Sequence, residues 1–257
     1  MTGAEFRDAD LAGEIAKSAG AHLLGLRSSW DWGAAAEPAK ELGRQGDRES
    51  NELIIARLAT HRPGDRVLSE ESADDPGRLE ARRVWIVDPL DGTREFSMRG
   101  RPDWAVHVAL WEKGAGITAA AVSQPALAKT YITGSTGLET REQPAPVMLV
   151  SDSRPPAFAA GVASRAGLRV EPMGSAGAKA MAVVRGDASA YVHAGGQWEW
   201  DSAAPVGVAL SAGLHASRLD GSPLLYNQAR PYLPDLLICR LELAESLLGA
   251  LAEVIAG

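Results

Sequence analysis

The apolar run Val84-Trp-Ile-Val87 leads straight into Asp88-Pro-Leu-Asp91-Gly-Thr93, so a buried strand ends on two carboxylates three residues apart. Pro89 fixes φ and lacks an N–H, and Gly92 tolerates positive φ, which stiffens the backbone into a tight turn. Asp88, Asp91 and the Leu90 carbonyl can then converge on one point. The N–H groups of Gly92 and Thr93 are free to face an anion, and a helix starting here would add positive potential. Taken alone, the segment also suits an ordinary Asx-type turn, because Asp-Gly is a common turn pair. An EF-hand loop is excluded by the acidic spacing.

Two more acidic turns accompany it. Leu68-Ser-Glu70-Glu71-Ser72 follows a short strand, and adjacent acids of this kind also suit a solvated edge. Gln197-Trp-Glu199-Trp-Asp201 precedes an apolar helix, where an aspartate also serves as an N-cap. If the three turns meet, four or more negative groups share a small volume. Two like charges 4 Å apart cost roughly 4 kcal/mol at intermediate dielectric, so such a cluster calls for bound cations. Oxygen donors favour Mg²⁺ or Mn²⁺ over zinc. The five histidines (22, 61, 107, 193 and 215) are scattered, without a His-x-x-x-His pair.

Composition narrows the field. The 257-residue chain is 46% hydrophobic, enough for a sizeable core, and its net charge of −7 argues against sequence-independent binding to a nucleic-acid polymer. Cys239 is the single cysteine, which excludes an internal disulfide and a thiolate zinc site and fits a reducing, cytoplasmic compartment. In an apolar strand it reads as a small buried hydrophobe. Met1 to Leu11 has no signal-like apolar core, and the stretch Ala203 to Leu214 is too short and too broken for a membrane span.

Leu11, Ile15, Ala19, Leu23 and Leu26 predict an amphipathic helix over about residues 8–28. A second helix is expected over Asn51 to Thr60, with Asp31 to Asp47 unassigned between them. Strands are expected at 66–69, 83–88, 104–110, 116–122 and 128–133, as an antiparallel run with a turn at Pro125. The polar stretch Glu139 to Pro146 reads as a crossover, dividing the chain into an N-terminal half (1–144) and a C-terminal half (145–257). After it, strands at 147–151, 168–171 and 188–193 alternate with helices at 156–166, 176–185 and 202–212. A strand at 236–240 and a helix at 242–255 follow, the latter with Leu243, Leu247, Leu248, Leu251 and Ile255 on one face. The fold class is α/β: an α+β half followed by an α/β half.

The three acidic motifs together, Glu70-Glu71, Asp88-Pro-Leu-Asp91-Gly-Thr93-Arg-Glu-Phe96 and Trp200-Asp201-x-Ala-Ala204, resemble the inositol monophosphatase superfamily in order and separation. That resemblance implies a layered α-β-α-β-α sandwich, its first sheet largely antiparallel and its second mixed. It implies a lithium-sensitive, Mg²⁺-dependent phosphomonoesterase with two or three ions, Mn²⁺ being a substitute, and by analogy a homodimer. Glu70, Asp88 and the Leu90 carbonyl would hold one metal, and Asp88, Asp91 and Asp201 a second. Thr93 would hold the attacking water, partnered by Asp47. Relatives reach that acid through Lys-x-Asp-x-x-Thr-x-Ala-Asp, whereas this chain reads Ala39-Lys-Glu-Leu-Gly-Arg-Gln-Gly-Asp47, without the threonine. Pro205 also stands where a glycine is common.

Arg94-Glu95-Phe96 resembles the branch of that family acting on 3′-phosphoadenosine 5′-phosphate, a nucleotide by-product of sulfate activation, and not the Asn-Phe-x-His of inositol phosphatases. Met173-Gly174-Ser175-Ala-Gly177-Ala-Lys179 and Ser151-Asp-Ser153-Arg154 resemble its nucleotide-binding loops, and Leu219 to Asn227 its late segment. The first loop also reads as a Ser-capped helix start, and the second departs from the branch at Asp152 and Pro155. Arg154 and Lys179 could meet a second phosphate; Trp198 and Trp200 either flank the pocket or fill the core. Three functions stand at this point: the nucleotidase, an inositol-1-phosphate or fructose-1,6-bisphosphate phosphatase on the same scaffold, and a catalytically silent phosphate- or metal-binding regulator.

Overall fold

The structure, a computed structural model, describes residues 7–33, 38–135 and 144–256. Helix α1 (Asp8–Ser29) realises the first helical periodicity, burying Leu11, Ile15, Ala19 and Leu23. Helix α2 (Pro38–His61) is far longer than the sequence predicts and takes in Asp47, expected to precede it. Gly43 and Gly46 disguise its first half, since glycine is a poor helix former. Both are needed for close approach. A Cβ at 43 would lie 2.8 Å from Thr93 Cγ2, and one at 46 would lie 3.0 Å from Leu90 Cδ2. The glycines let the helix backbone press against the turn that carries Asp88 and Asp91.

Five strands follow: β1 (Arg66–Ser69), β2 (Arg83–Asp91), β3 (Ala105–Glu112), β4 (Gly116–Gln124) and β5 (Lys129–Ile132), paired in that order. The expected antiparallel run holds from β2 onward, but β1 pairs with β2 in parallel. The connection between those two is no hairpin: it crosses over through a single 3₁₀ turn, Pro76–Glu80. Strand β2 also runs three residues past the expected end. A bulge between Asp88 and Asp91, opposite β3, lets it continue through the proline. The short helix α3 (Thr93–Phe96) starts directly after it.

The second half contains β6 (Val147–Ser151), α4 (Ala159–Arg165), β7 (Arg169–Met173), α5 (Ala176–Arg185), β8 (Ala190–Trp198), α6 (Glu199–Ser211), β9 (His215–Ser217), β10 (Tyr232–Cys239) and α7 (Ala244–Ala256). Its sheet has the order β7-β6-β8-β10-β9, with β6 parallel to both neighbours and β10 antiparallel to both of its own. Most of the expected crossover, 139–143, and the Ile255 side chain lie outside the described residues. The first sheet is built wholly before it and the second wholly after it.

Side-chain parity assigns the layers, because successive strand residues face opposite sides. On β2, Trp85 and Val87 join the cluster formed with α1 and α2, while Val84 and Ile86 face α5 and α6. On β6, Val147 and Leu149 face that same central layer, and Met148 and Val150 face α4 and α7. Both sheets are thus covered on both faces, giving helix, sheet, helix, sheet, helix. Cys239 is buried in the outer cluster, where burial pushes its thiol up to about 12. No described helix is long and apolar enough to cross a membrane.

The glycine contact gives a direct test. Gly43→Leu should cost about 1–3 kcal/mol, the usual range for overpacking a tight contact. It should also push Thr93 away from α2. A lowered urea midpoint together with lost activity is expected; an unchanged midpoint would show that the helix does not need this approach.

Candidate active site

The sharp turn after Asp88 gathers the chemistry. The Leu90 N–H donates to Asp88 Oδ1 at 3.0 Å, curling the backbone over the carboxylate. Gly92 has φ 84°, in the left-handed region, and a Cβ there would sit 3.1 Å from the Asp103 carbonyl. The turn therefore requires glycine, and it aims Thr93 back at α2. The Thr93 hydroxyl lies 3.1 Å from Asp47 Oδ1 and 3.1 Å from the Leu90 carbonyl, so one proton faces two acceptors. Asp47 and Thr93, 46 residues apart in sequence, meet as expected even without the threonine-bearing lead-in.

The carboxylates converge from separate elements. Oxygen atoms of Asp88, Asp91 and Asp201 all lie within 4.8 Å of one another. Glu70, at the end of β1, stands outside that tight group and keeps solvent-facing surface. Its carboxyl nevertheless sits close enough to feel the others: burial, then the charges of Asp201, Asp47, Glu71 and Asp91, push it up to about 8. Burial and the same crowding raise Asp88 well above the carboxylate range. Burial and Asp91 push Asp201 up to about 6, and burial pushes Asp47 up to about 7. Hard oxygen donors repelling one another in a closed space fit a divalent cation site. Asp201 is not the N-cap of α6; it is the third residue of the helix, and its Oδ2 reaches back to the Trp198 N–H at 2.5 Å.

Asp91 behaves differently. Burial alone would raise its pKa, yet the His107 imidazole, the Ser175 hydroxyl and the Lys179 ammonium bring it down to about 2. It caps α5 from outside: the N–H groups of Ala176 and Gly177 donate to it at 3.1 and 2.6 Å, and the Ser175 hydroxyl at 2.5 Å. Ser175, at φ 51°, also accepts from the Ala178 N–H, so the Ser-capped helix start and the acidic site are one construction. Lys179 turns inward, donating to the Met173, Gly174 and Ser175 carbonyls at 3.3, 3.2 and 2.7 Å, with its ammonium 5.0 Å from the Tyr191 ring centroid. Burial lowers its pKa to about 8.

A cleft of about 270 Å³ opens over these groups, lined among others by Thr93, Arg94, Ser153, Arg154, Gly174 and Asp201. Arg154 is exposed, held by its backbone N–H to Ser151 Oγ at 3.2 Å. The Gly174 N–H donates to Asp103 Oδ2, and a Cβ at 174 would meet Glu95 at 2.4 Å. Arg94, singled out in sequence only as a branch marker, pairs here with both Asp152 and Glu95. Trp198 is 42% exposed and stacks on Trp200, which is partly buried against the central core. His107 is the residue that sequence reading passed over. It lies fully buried on β3 beside Asp91, and nothing in its spacing marks it, because its partners come from β2, α5 and α6.

Comparison with known proteins agrees with this construction. The chain is 51% identical to the 3′-phosphoadenosine 5′-phosphate phosphatase of Mycobacterium leprae, an alignment covering 98% of this chain and 96% of the relative. It is 56% identical to the protein of that name from Mycobacterium tuberculosis, over 82% of each. An inositol monophosphatase from Anabaena (Nostoc) has the same fold, with a TM-score of 0.74 at 21% identity and coverage of 95% of this chain and 94% of that one. A sequence profile of the inositol monophosphatase family matches residues 8–256, and the chain belongs to that family.

Proposed function

We propose that the protein hydrolyses the 3′-phosphate of 3′-phosphoadenosine 5′-phosphate to give AMP and phosphate, with 3′-phosphoadenylyl sulfate as a second substrate, using Mg²⁺. One observation carries the hydrolase reading: the Asp88, Asp91 and Asp201 oxygens cluster within 4.8 Å beside the Thr93–Asp47 contact. The nucleotide is supported by the activity for which both mycobacterial relatives are named. The exposed Arg154 at the cleft suits a second phosphate. A cytoplasmic setting belongs to the same reading, with Cys239 the single cysteine of the sequence.

The geometry supports a role for each residue. Glu70, Asp88, Asp91, Asp201 and the Leu90 carbonyl would hold the divalent ions. Those ions, when bound, supply Lewis acidity for a phosphoryl group and a water. Thr93 Oγ1 accepts a proton from the attacking water while its own proton passes toward Asp47. Burial raises Asp47 to about 7 in the metal-free site, and nearby cations would lower it, leaving a carboxylate able to accept that proton at neutral pH. The N–H groups of Gly92 and Thr93 orient the phosphoryl oxygens. Lys179 serves by bracing the 173–175 turn under Asp91, and Gly174 and Ser175 line the cleft through that turn.

Kinetics test the reading. In a panel with Mg²⁺, 3′-phosphoadenosine 5′-phosphate should give the highest kcat/KM, above inositol 1-phosphate and fructose 1,6-bisphosphate; a lower value would remove the nucleotide assignment. Asp88→Asn should abolish turnover. Thr93→Ala and Asp47→Asn should each lower kcat by about 10²–10⁴ with little change in KM, the scale of a lost general base. Full activity in Asp88→Asn would favour a silent regulator.

Stability should respond to pH in a set direction. Burial leaves Asp47 and Glu199 with pKa values of about 7 and Glu70 about 8, so the metal-free native state holds protons that unfolded carboxylates have released. Stability must then fall as pH rises from 6.5 to 7.5. Two groups oppose this trend without setting it: His193, lowered by burial to about 4, acts below the window, and Lys179, lowered to about 8, acts above it. Urea midpoints in EDTA should decrease across the window, and saturating Mg²⁺ should flatten the slope. A midpoint in EDTA that rises with pH would contradict the crowded-acid description.

A further inference from the structure

Asp91 and Asp201 approach one another from unrelated elements, the end of β2 and the first turn of α6, so something must set their separation. The first turn of α6 is weakly held by its own backbone. Pro205 lies inside the helix and has no N–H to offer the Asp201 carbonyl four residues earlier. Besides the Trp198 N–H donating to the Asp201 carboxylate, the turn is fixed from outside. The Asn227 and Gln228 N–H groups donate to Glu199 at 2.6 and 2.8 Å. On the opposite side His107 Nδ1 lies 3.1 Å from the Trp200 carbonyl. A carbonyl oxygen only accepts, so Nδ1 carries the hydrogen.

The other ring nitrogen faces Asp91. His107 Nε2 stands 3.2 Å from Asp91 Oδ2, a polar contact whose angle misses that of a hydrogen bond, leaving the fully buried Nε2 without a hydrogen-bond partner. The ring cannot swing clear. A Cβ at Gly177 would fall 2.1 Å from Nε2, so α5 is pressed against it with only hydrogen to spare. One rigid imidazole therefore touches the residue before Asp201 with one nitrogen and Asp91 itself with the other. It is wedged between the sheet and both central helices.

We propose that His107 is a positioning residue that sets the spacing of Asp91 and Asp201, and through it the affinity of the acidic site for divalent cations. This rests on the metal-hydrolase reading above. Groups that orient metal-binding side chains from behind are typically worth 10–100-fold in metal affinity. Loss of the imidazole should therefore act on cation binding and leave recognition of the nucleotide unchanged.

Mn²⁺ titration of the metal-free protein, followed by electron paramagnetic resonance, separates the possibilities. His107→Leu fills the space without polar contacts, and His107→Asn keeps a donor near the position of Nδ1 but loses Nε2. The expectation is a Mn²⁺ Kd at least 10-fold weaker in His107→Leu and an intermediate loss in His107→Asn. Steady-state kinetics should show a raised KM for Mg²⁺ with an unchanged KM for 3′-phosphoadenosine 5′-phosphate. Wild-type Mn²⁺ affinity in both variants, with only Tm lowered, would overturn the proposal and leave the metal reading intact. No Mn²⁺ binding to the wild-type protein would overturn both. Should His107→Leu fail to fold, His107→Asn decides alone.

Discussion

Mutual repulsion among carboxylates is the constraint around which this molecule is arranged. Oxygen atoms of Asp88, Asp91 and Asp201 gather within 4.8 Å, a separation at which each charged pair costs about 3–4 kcal/mol at intermediate dielectric. No side chain would settle there unaided. The scaffold imposes it: the bulge in β2 carries two of the acids, and the first turn of α6 brings the third. Burial shifts Asp47, Glu70, Asp88 and Asp201 upward, the neighbouring acids add to it, and the protons so held relieve the strain in the metal-free state. Divalent cations relieve it more completely. Folding, protonation and ion binding are thus linked through one small volume.

Asp91 shows how the scaffold manages this crowding. It alone of the clustered acids is held well below the usual carboxylate range, because α5 points its first N–H groups and Ser175 at it. Lys179 closes the construction from beneath by tying down the carbonyls of the 173–175 turn. The loop that sequence similarity marks as a nucleotide contact spends its polar groups first on Asp91. The 173–175 turn therefore serves two surfaces at once, the wall of the cleft and the support of Asp91.

Much of this was legible in the sequence, for identifiable reasons. Most strand positions and the three acidic turns were visible because strand alternation and turn chemistry are local properties, whereas the three-residue β9 and the last five residues of β8 were not. The Asp47–Thr93 pairing came from family resemblance and matches the contact observed. What escaped was non-local. The first half of α2 was hidden because Gly43 and Gly46 look like loop residues until Thr93 and Leu90 are placed against them. The parallel pairing of β1 with β2 depends on a crossover that no periodicity encodes. His107 was invisible for the same reason: an isolated histidine in a strand gains meaning only from the helices packed on it.

The most direct test of the central claim is anomalous diffraction from crystals of this protein soaked in Mn²⁺. A peak bounded by Asp88, Asp91 and Asp201 is expected, with a second shared by Glu70, Asp88 and the Leu90 carbonyl. Saturating Mn²⁺ that leaves these carboxylates without a peak would contradict the claim, because their convergence would then need a cause other than bound cations.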